Sequence, residues 1–160
     1  MYNNVFYFYY INSIGGVESY FYYLAKKYQD LDITVFYSVG DENQIRRLRK
    51  FIRIKQYNGE QIKCKRFFIN YRADTILKNV EAEECIFVIH ADYKNQTNIV
   101  FKPHDKINRY IAVSEYAAKS FEEVTGIKPE VSYNPICLEK PKRVLNLISA
   151  TRLSIEKRKR

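Results

Sequence analysis

Residues 8–28 read FYYINSIGGVESYFYYLAKKY, and the texture of the chain changes in the middle of this stretch. Residues 5–11, VFYFYYI, form an apolar run of strand length, rich in β-formers and apolar on both faces, as in a central parallel strand. Two adjacent glycines, Gly15 and Gly16, stop it, although the chain holds only five glycines. From Val17 the apolar residues recur as Val17, Tyr20, Phe21, Leu24, Ala25 and Tyr28, the spacing of a one-faced helix. The opening is therefore strand, Gly-Gly turn, helix. Glycine has no Cβ, so ligand oxygens can approach its backbone, and a helix start offers free N–H groups and partial positive charge. A tight β–α turn without a ligand explains the same residues.

The unit repeats along the chain. Residues 33–39, ITVFYSV, read as a second strand, and Asp41 is placed to cap a helix from 42 to 53 with Ile45, Leu48 and Ile52 inward. Residues 62–69 alternate in part and read as a third strand, and 74–80 as a short helix. Residues 85–89, CIFVI, form a buried strand leading into His90, Ala91 and Asp92. An irregular loop over 93–105 precedes a strand at 109–113. Ser114 caps a helix whose inward residues are Ala117, Ala118, Phe121 and Val124, and Gly126 ends it. A short strand follows at 130–133. Strands alternating with helices predict an α/β, Rossmann-like three-layer domain with a mostly parallel sheet over residues 1–137. Residues 138–143, LEKPKR, read as a linker. Residues 144–160 open with another strand, VLNLISA, and read as the truncated start of a second domain.

Composition narrows the classes. The 160 residues are 46% apolar and carry a net charge of +9, with cations clustered at Arg46, Arg47, Arg49, Lys50, Arg53 and Lys55 and again at the C-terminal end. That charge suits a solvated face, an anionic membrane surface or a polyanion. Cys64, Cys85 and Cys137 are isolated and show neither a disulfide framework nor a zinc spacing, so they read as reduced thiols and no metal is expected. No signal peptide and no apolar run of about 18 residues is visible, which predicts a cytoplasmic protein. The loop lacks the G-x-G-x-x-G of a dinucleotide-binding oxidoreductase. A basic nucleic-acid module would bring a recognisable motif such as a helix-turn-helix, and none is present.

Several stretches taken in order resemble a known family. They are GGVE at 15–18, IHADY at 89–93, INRYIAVSEYAAKSFEEVTGI at 107–127, VSYNPI at 131–136 and LISATRLSIEK at 147–157. Together they resemble the N-terminal half of the GT-B glycosyltransferases, specifically the retaining family-4 type that builds bacterial surface glycans and glycolipids. The resemblance implies an acceptor-side domain facing a nucleotide-sugar-binding domain, with a nucleotide sugar as donor, a glycan or glycolipid as acceptor and no other cofactor. It implies that Gly15 and Gly16 form the glycine-rich loop at the donor or phosphate, and that His90 hydrogen-bonds the donor sugar near the reacting centre. It also implies that Arg152 and Lys157 contact the donor diphosphate, whose developing charge two fixed cations would stabilise. Glu18 and Asp92 are candidates for the acceptor side. This chain departs from the family pattern after Lys157, where Arg158 stands in place of the usual glycine. Peripheral association with the inner membrane leaflet is the corresponding localisation. A GT-B sugar epimerase and a basic module for nucleic acid or another polyanion are the alternatives. The apolar residues of 144–150 further lead to the expectation that this segment packs back on its own domain or pairs with its copy in a homodimer.

Overall fold

The computed structural model describes residues 1–12, 15–71, 73–95 and 101–134. The linker expected at 138–143, the strand expected at 144–150, Cys137, Arg152 and Lys157 lie outside the described residues.

The described strands are β1 (Tyr2–Ile11), β2 (Ile33–Gly40), β3 (Arg53–Gln56), β4 (Ile62–Ile69), β5 (Val80–Ile89), β6 (Arg109–Ala112) and β7 (Glu130–Val131). They form one sheet in the order β3-β2-β1-β4-β5-β6-β7, and every pairing is parallel. The helices are α1 (Gly16–Lys27), α2 (Glu42–Leu48), α3 (Ala73–Ile76) with a 3₁₀ turn at Leu77–Asn79, and α4 (Glu115–Thr125). α1 and α2 supply Phe21, Ala25, Ile45 and Leu48 to one core, against Phe6, Phe8 and Val35. α4 supplies Ala117, Ala118 and Phe121 to a second core on the other face, with Val5, Tyr7, Phe67 and Phe87. The domain is thus a three-layer, Rossmann-like α/β fold. The strand order reverses between β1 and β4, and in open parallel sheets the carboxyl edge at such a reversal is where ligands bind.

The capping residues act as their chemistry dictates. The Asp41 carboxylate accepts from the Gln44 N–H at 2.9 Å, and the Ser114 hydroxyl accepts from the Ala117 N–H at 3.1 Å. Gly126 ends α4 in the left-handed conformation, φ 73°, where a side chain would be strained.

Five expectations change. The helix expected over 42–53 stops at Leu48, and residues 53–56 are strand β3 at the sheet edge. Of β3, only Ile54 packs on the core, while Arg53, Lys55 and Gln56 are exposed. One inward residue between cations carries too little pattern to announce a strand, and pairing with β2 decides it. The helix expected at 74–80 ends by Asn79, and β5 begins at Val80 rather than Cys85. The acidic run before Cys85 looks unlike a strand but faces cations on β4: Lys63 meets Glu81 at 2.7 Å and Arg66 meets Glu84 at 3.2 Å. Val124, expected inward, is 55% exposed, lying at the border of the face that Ala117, Ala118 and Phe121 bury. Tyr28, expected on the inner face of α1, is likewise exposed at the helix end.

The partial alternation of 62–69 has a structural cause. Cys64 and Phe67 both enter the α4-side core although three residues apart, as do Tyr2 and Val5 on β1 and Ala82 and Cys85 on β5. These positions lie level with one another, since Tyr2 pairs with Cys64 and Cys64 with Ala82. The alternation therefore skips one position at the same height in adjacent strands. The register between them is kept, and a row of polar residues, among them Asn4, Arg66 and Glu84, sits at the step.

Candidate functional site

β1 delivers the chain to the carboxyl edge at Ile11, and α1 starts at Gly16. Gly15 precedes the helix with φ 179°, extended backbone that any residue can adopt. A Cβ there would meet only the Glu18 carboxylate, with Glu18 Cδ 3.1 Å away, and that flexible side chain can swing aside. Glu18 folds back over the loop and accepts from the Asn12 N–H at 3.1 Å. At Gly16, by contrast, nothing lies within 4 Å of where a Cβ would stand. The open approach to backbone is at Gly16, and the space beside Gly15 is taken by the chain's own carboxylate. That carboxylate already supplies the negative charge that a helix start favours.

His90 follows the end of β5 at the same edge. Its ring stands 5.1 Å from the Tyr20 ring of α1, edge to face. Burial lowers its pKa to about 4, so the imidazole is neutral at physiological pH. Among the described residues it makes no hydrogen bond, and a small cavity borders it together with Asn70, Tyr20 and Phe68. A neutral ring of this kind offers one N–H donor and one acceptor to a ligand, and it is a poor proton carrier near pH 7.

Asp92 faces elsewhere. Its Oδ1 accepts from the Ser120 hydroxyl at 2.6 Å, the Lys94 N–H at 3.1 Å and the Asn95 N–H at 3.3 Å. Its Oδ2 accepts from the Asn95 amide at 2.6 Å and the Tyr116 hydroxyl at 2.8 Å. The hydrogen bonds from Ser120, Asn95 and Tyr116, in that order, hold the carboxyl well below the usual carboxylate range. Asp92 thus ties the loop after His90 to α4. Replacing it with asparagine is expected to speed amide exchange at Lys94 and Asn95 at pH 7. A carboxyl whose pKa is lowered on folding contributes above its unfolded pKa, near 4, and loses that contribution as pH falls towards the folded value. The difference between the two proteins should accordingly shrink below about pH 4; equal exchange at pH 7 would show that the loop is held by other contacts.

The chain has no significant match among protein-family models, curated proteins or solved structures. Its function is read from the site.

The structure brings Gly15, Gly16, Glu18 and His90 to one edge, turns Asp92 towards α4, and leaves Arg152 and Lys157 outside the described residues. Two further residues belong to this edge: Tyr20, which the helical spacing marks only as an inward residue, and Asn70, directly after β4. The position of Asn70 directly after a strand end is the signal that would have found it.

The cationic cluster lies away from this edge. Arg49 ends α2 and Arg53 begins β3, which puts them at the amino edge. Several members are engaged locally: Arg47 stacks 4.5 Å over the Tyr22 ring, Arg49 meets Glu42 at 3.5 Å, and Lys55 donates to the Tyr2 hydroxyl at 3.3 Å. Cys64 and Cys85 are buried free thiols, pushed by burial up to about 11 and about 12, which makes both unreactive. Among the described residues no group of His, Cys, Asp and Glu is arranged to hold a metal ion, and no helix is long and apolar enough to cross a membrane.

Proposed function

We propose that this chain carries the acceptor-side domain of a retaining, family-4-like GT-B glycosyltransferase, which passes a sugar from a nucleotide sugar to a glycan or glycolipid. The observation that carries the reading is the meeting of His90 with the start of α1 at the carboxyl edge, beside the reversal of strand order. The neutral imidazole, without a hydrogen bond among the described residues, is suited to hydrogen-bond a sugar hydroxyl and to orient it. The Glu18 carboxylate at the helix start accepts a hydrogen bond from a sugar hydroxyl and repels a phosphate, which favours the acceptor side for this loop. In the full reaction the donor diphosphate would lie against Arg152 and Lys157. The amino-edge cations would serve a separate purpose, attraction to an anionic membrane surface.

Titration of the chain with oligosaccharides, followed by amide NMR, tests this. Signals of Gly16, Glu18 and Ala91 are expected to shift, and His90→Ala to weaken the interaction at least about fivefold, the loss of one to two hydrogen bonds. Because His90 titrates near pH 4, the affinity should be flat between about pH 5.5 and 8. Absence of shifts at this edge, or micromolar binding of a nicotinamide dinucleotide there, would overturn the reading.

A further inference from the structure

Tyr10 is 48% exposed near the end of β1, whereas Phe6, Tyr7 and Phe8 before it are buried. Its ring is braced: Tyr9 meets it edge to face at 4.6 Å, packs on the α4-side core and reaches Tyr71 at 6.4 Å. An aromatic side chain held from one side and open on the other offers a fixed, flat, apolar face with a polar tip. Packing of the core does not require such a face at the carboxyl edge, where the strand order reverses.

The strand register places this ring relative to His90. Tyr7, Ile69 and Phe87 lie level across β1, β4 and β5. Three residues beyond Tyr7 and Phe87 stand Tyr10 and His90. Tyr7 and Phe87 enter the α4-side core, so the alternation of a strand turns Tyr10 and His90 to the α1 side. The two are therefore at one height on one side, two strand spacings or roughly 10 Å apart. A single pyranose ring does not bridge that span, and two joined rings do. The described residues that directly follow β1, β4 and β5, namely Asn12, Asn70, Tyr71, His90 and Ala91, bring amides, rings and no cation. Such a lining favours hydroxyls and C–H faces over phosphate. We propose that Tyr10 is the platform of a second sugar subsite, so that the ligand of this edge carries at least two sugar rings, one at His90 and the next stacked on Tyr10. The sugar at His90 rests on the transferase reading; the ring at Tyr10 adds the size of the acceptor.

Matched sugars titrated into the full chain, followed by amide NMR, provide the test: glucose against maltose and cellobiose, N-acetylglucosamine against chitobiose, and mannose against mannobiose. At least one disaccharide is expected to bind about fivefold or more tightly than its monosaccharide, the worth of one aromatic stack, and to shift Tyr10 as well as Ala91. Tyr10→Ala should remove that advantage and leave the monosaccharide unaffected, while Tyr10→Phe, which keeps the ring, should preserve it. Should Tyr10→Ala fold poorly, nuclear Overhauser contacts between sugar C–H groups and the Tyr10 ring in the native chain decide instead. Equal binding within every pair, an advantage that survives Tyr10→Ala, or one lost in Tyr10→Phe overturns the stacked ring; if His90→Ala still weakens the monosaccharide, the transferase reading stands without it. Uridine diphosphate that shifts Tyr10 and loses affinity in Tyr10→Ala also overturns the proposal, because the ring would then stack a base. Failure of every sugar to bind at this edge overturns both readings.

Discussion

Replacing Phe121 with alanine lowers the unfolding free energy by about 4 kcal/mol, and the melting temperature by roughly 10–20 °C. Phe121 is fully buried on α4. Its ring lies 4.9 Å from Phe101, 5.0 Å from Tyr93, 5.8 Å from Tyr110 and 6.3 Å from Phe87. It thus joins β5 and β6 to the loop that carries the chain away from His90. Deleting the ring removes its transfer energy and leaves a cavity between rigid neighbours that collapse poorly. Against a typical domain stability of about 5–15 kcal/mol, such a loss is large. Phe121→Leu, which keeps most of the volume, should cost less than about 1.5 kcal/mol. Denaturant melts of the two variants check the pair of values; a loss below about 1 kcal/mol in Phe121→Ala would mean that the aromatic cluster is not close-packed.

Common nucleotide sugars should bind the 160-residue chain no more tightly than about 1 mM, some 4 kcal/mol. The transferase reading assigns the donor mainly to a second domain. On this side it leaves only His90 and the loop before α1, where Glu18 opposes a phosphate. One hydrogen bond from a neutral imidazole contributes about 1 kcal/mol net, far short of what micromolar binding needs. Calorimetry with a panel of donors decides. Binding in the low micromolar range would put the donor on this domain and reverse the assignment of its two ligands.

The sequence by itself determined the layered α/β class. Runs such as VFYFYYI and CIFVI are apolar on both faces, and only a strand covered on both sides buries them. The helical spacing after Gly16 and after Ser114 then names the covering layers, and Asp41, Ser114 and Gly126 mark helix ends through local chemistry. Strand β3 and the first half of β5 were illegible for the opposite reason. Their residues are charged, and only a partner strand in register makes them strand-like: Lys63 opposite Glu81, Arg66 opposite Glu84. The candidate site divides along the same line. That Gly15, Gly16 and His90 follow strands is legible, and in a parallel sheet strand ends share an edge. Two things were decided by tertiary structure alone: that Asp92 turns to α4, and that Tyr20 reaches His90. Each depends on where a side chain meets an element distant in sequence, and no local pattern encodes that meeting.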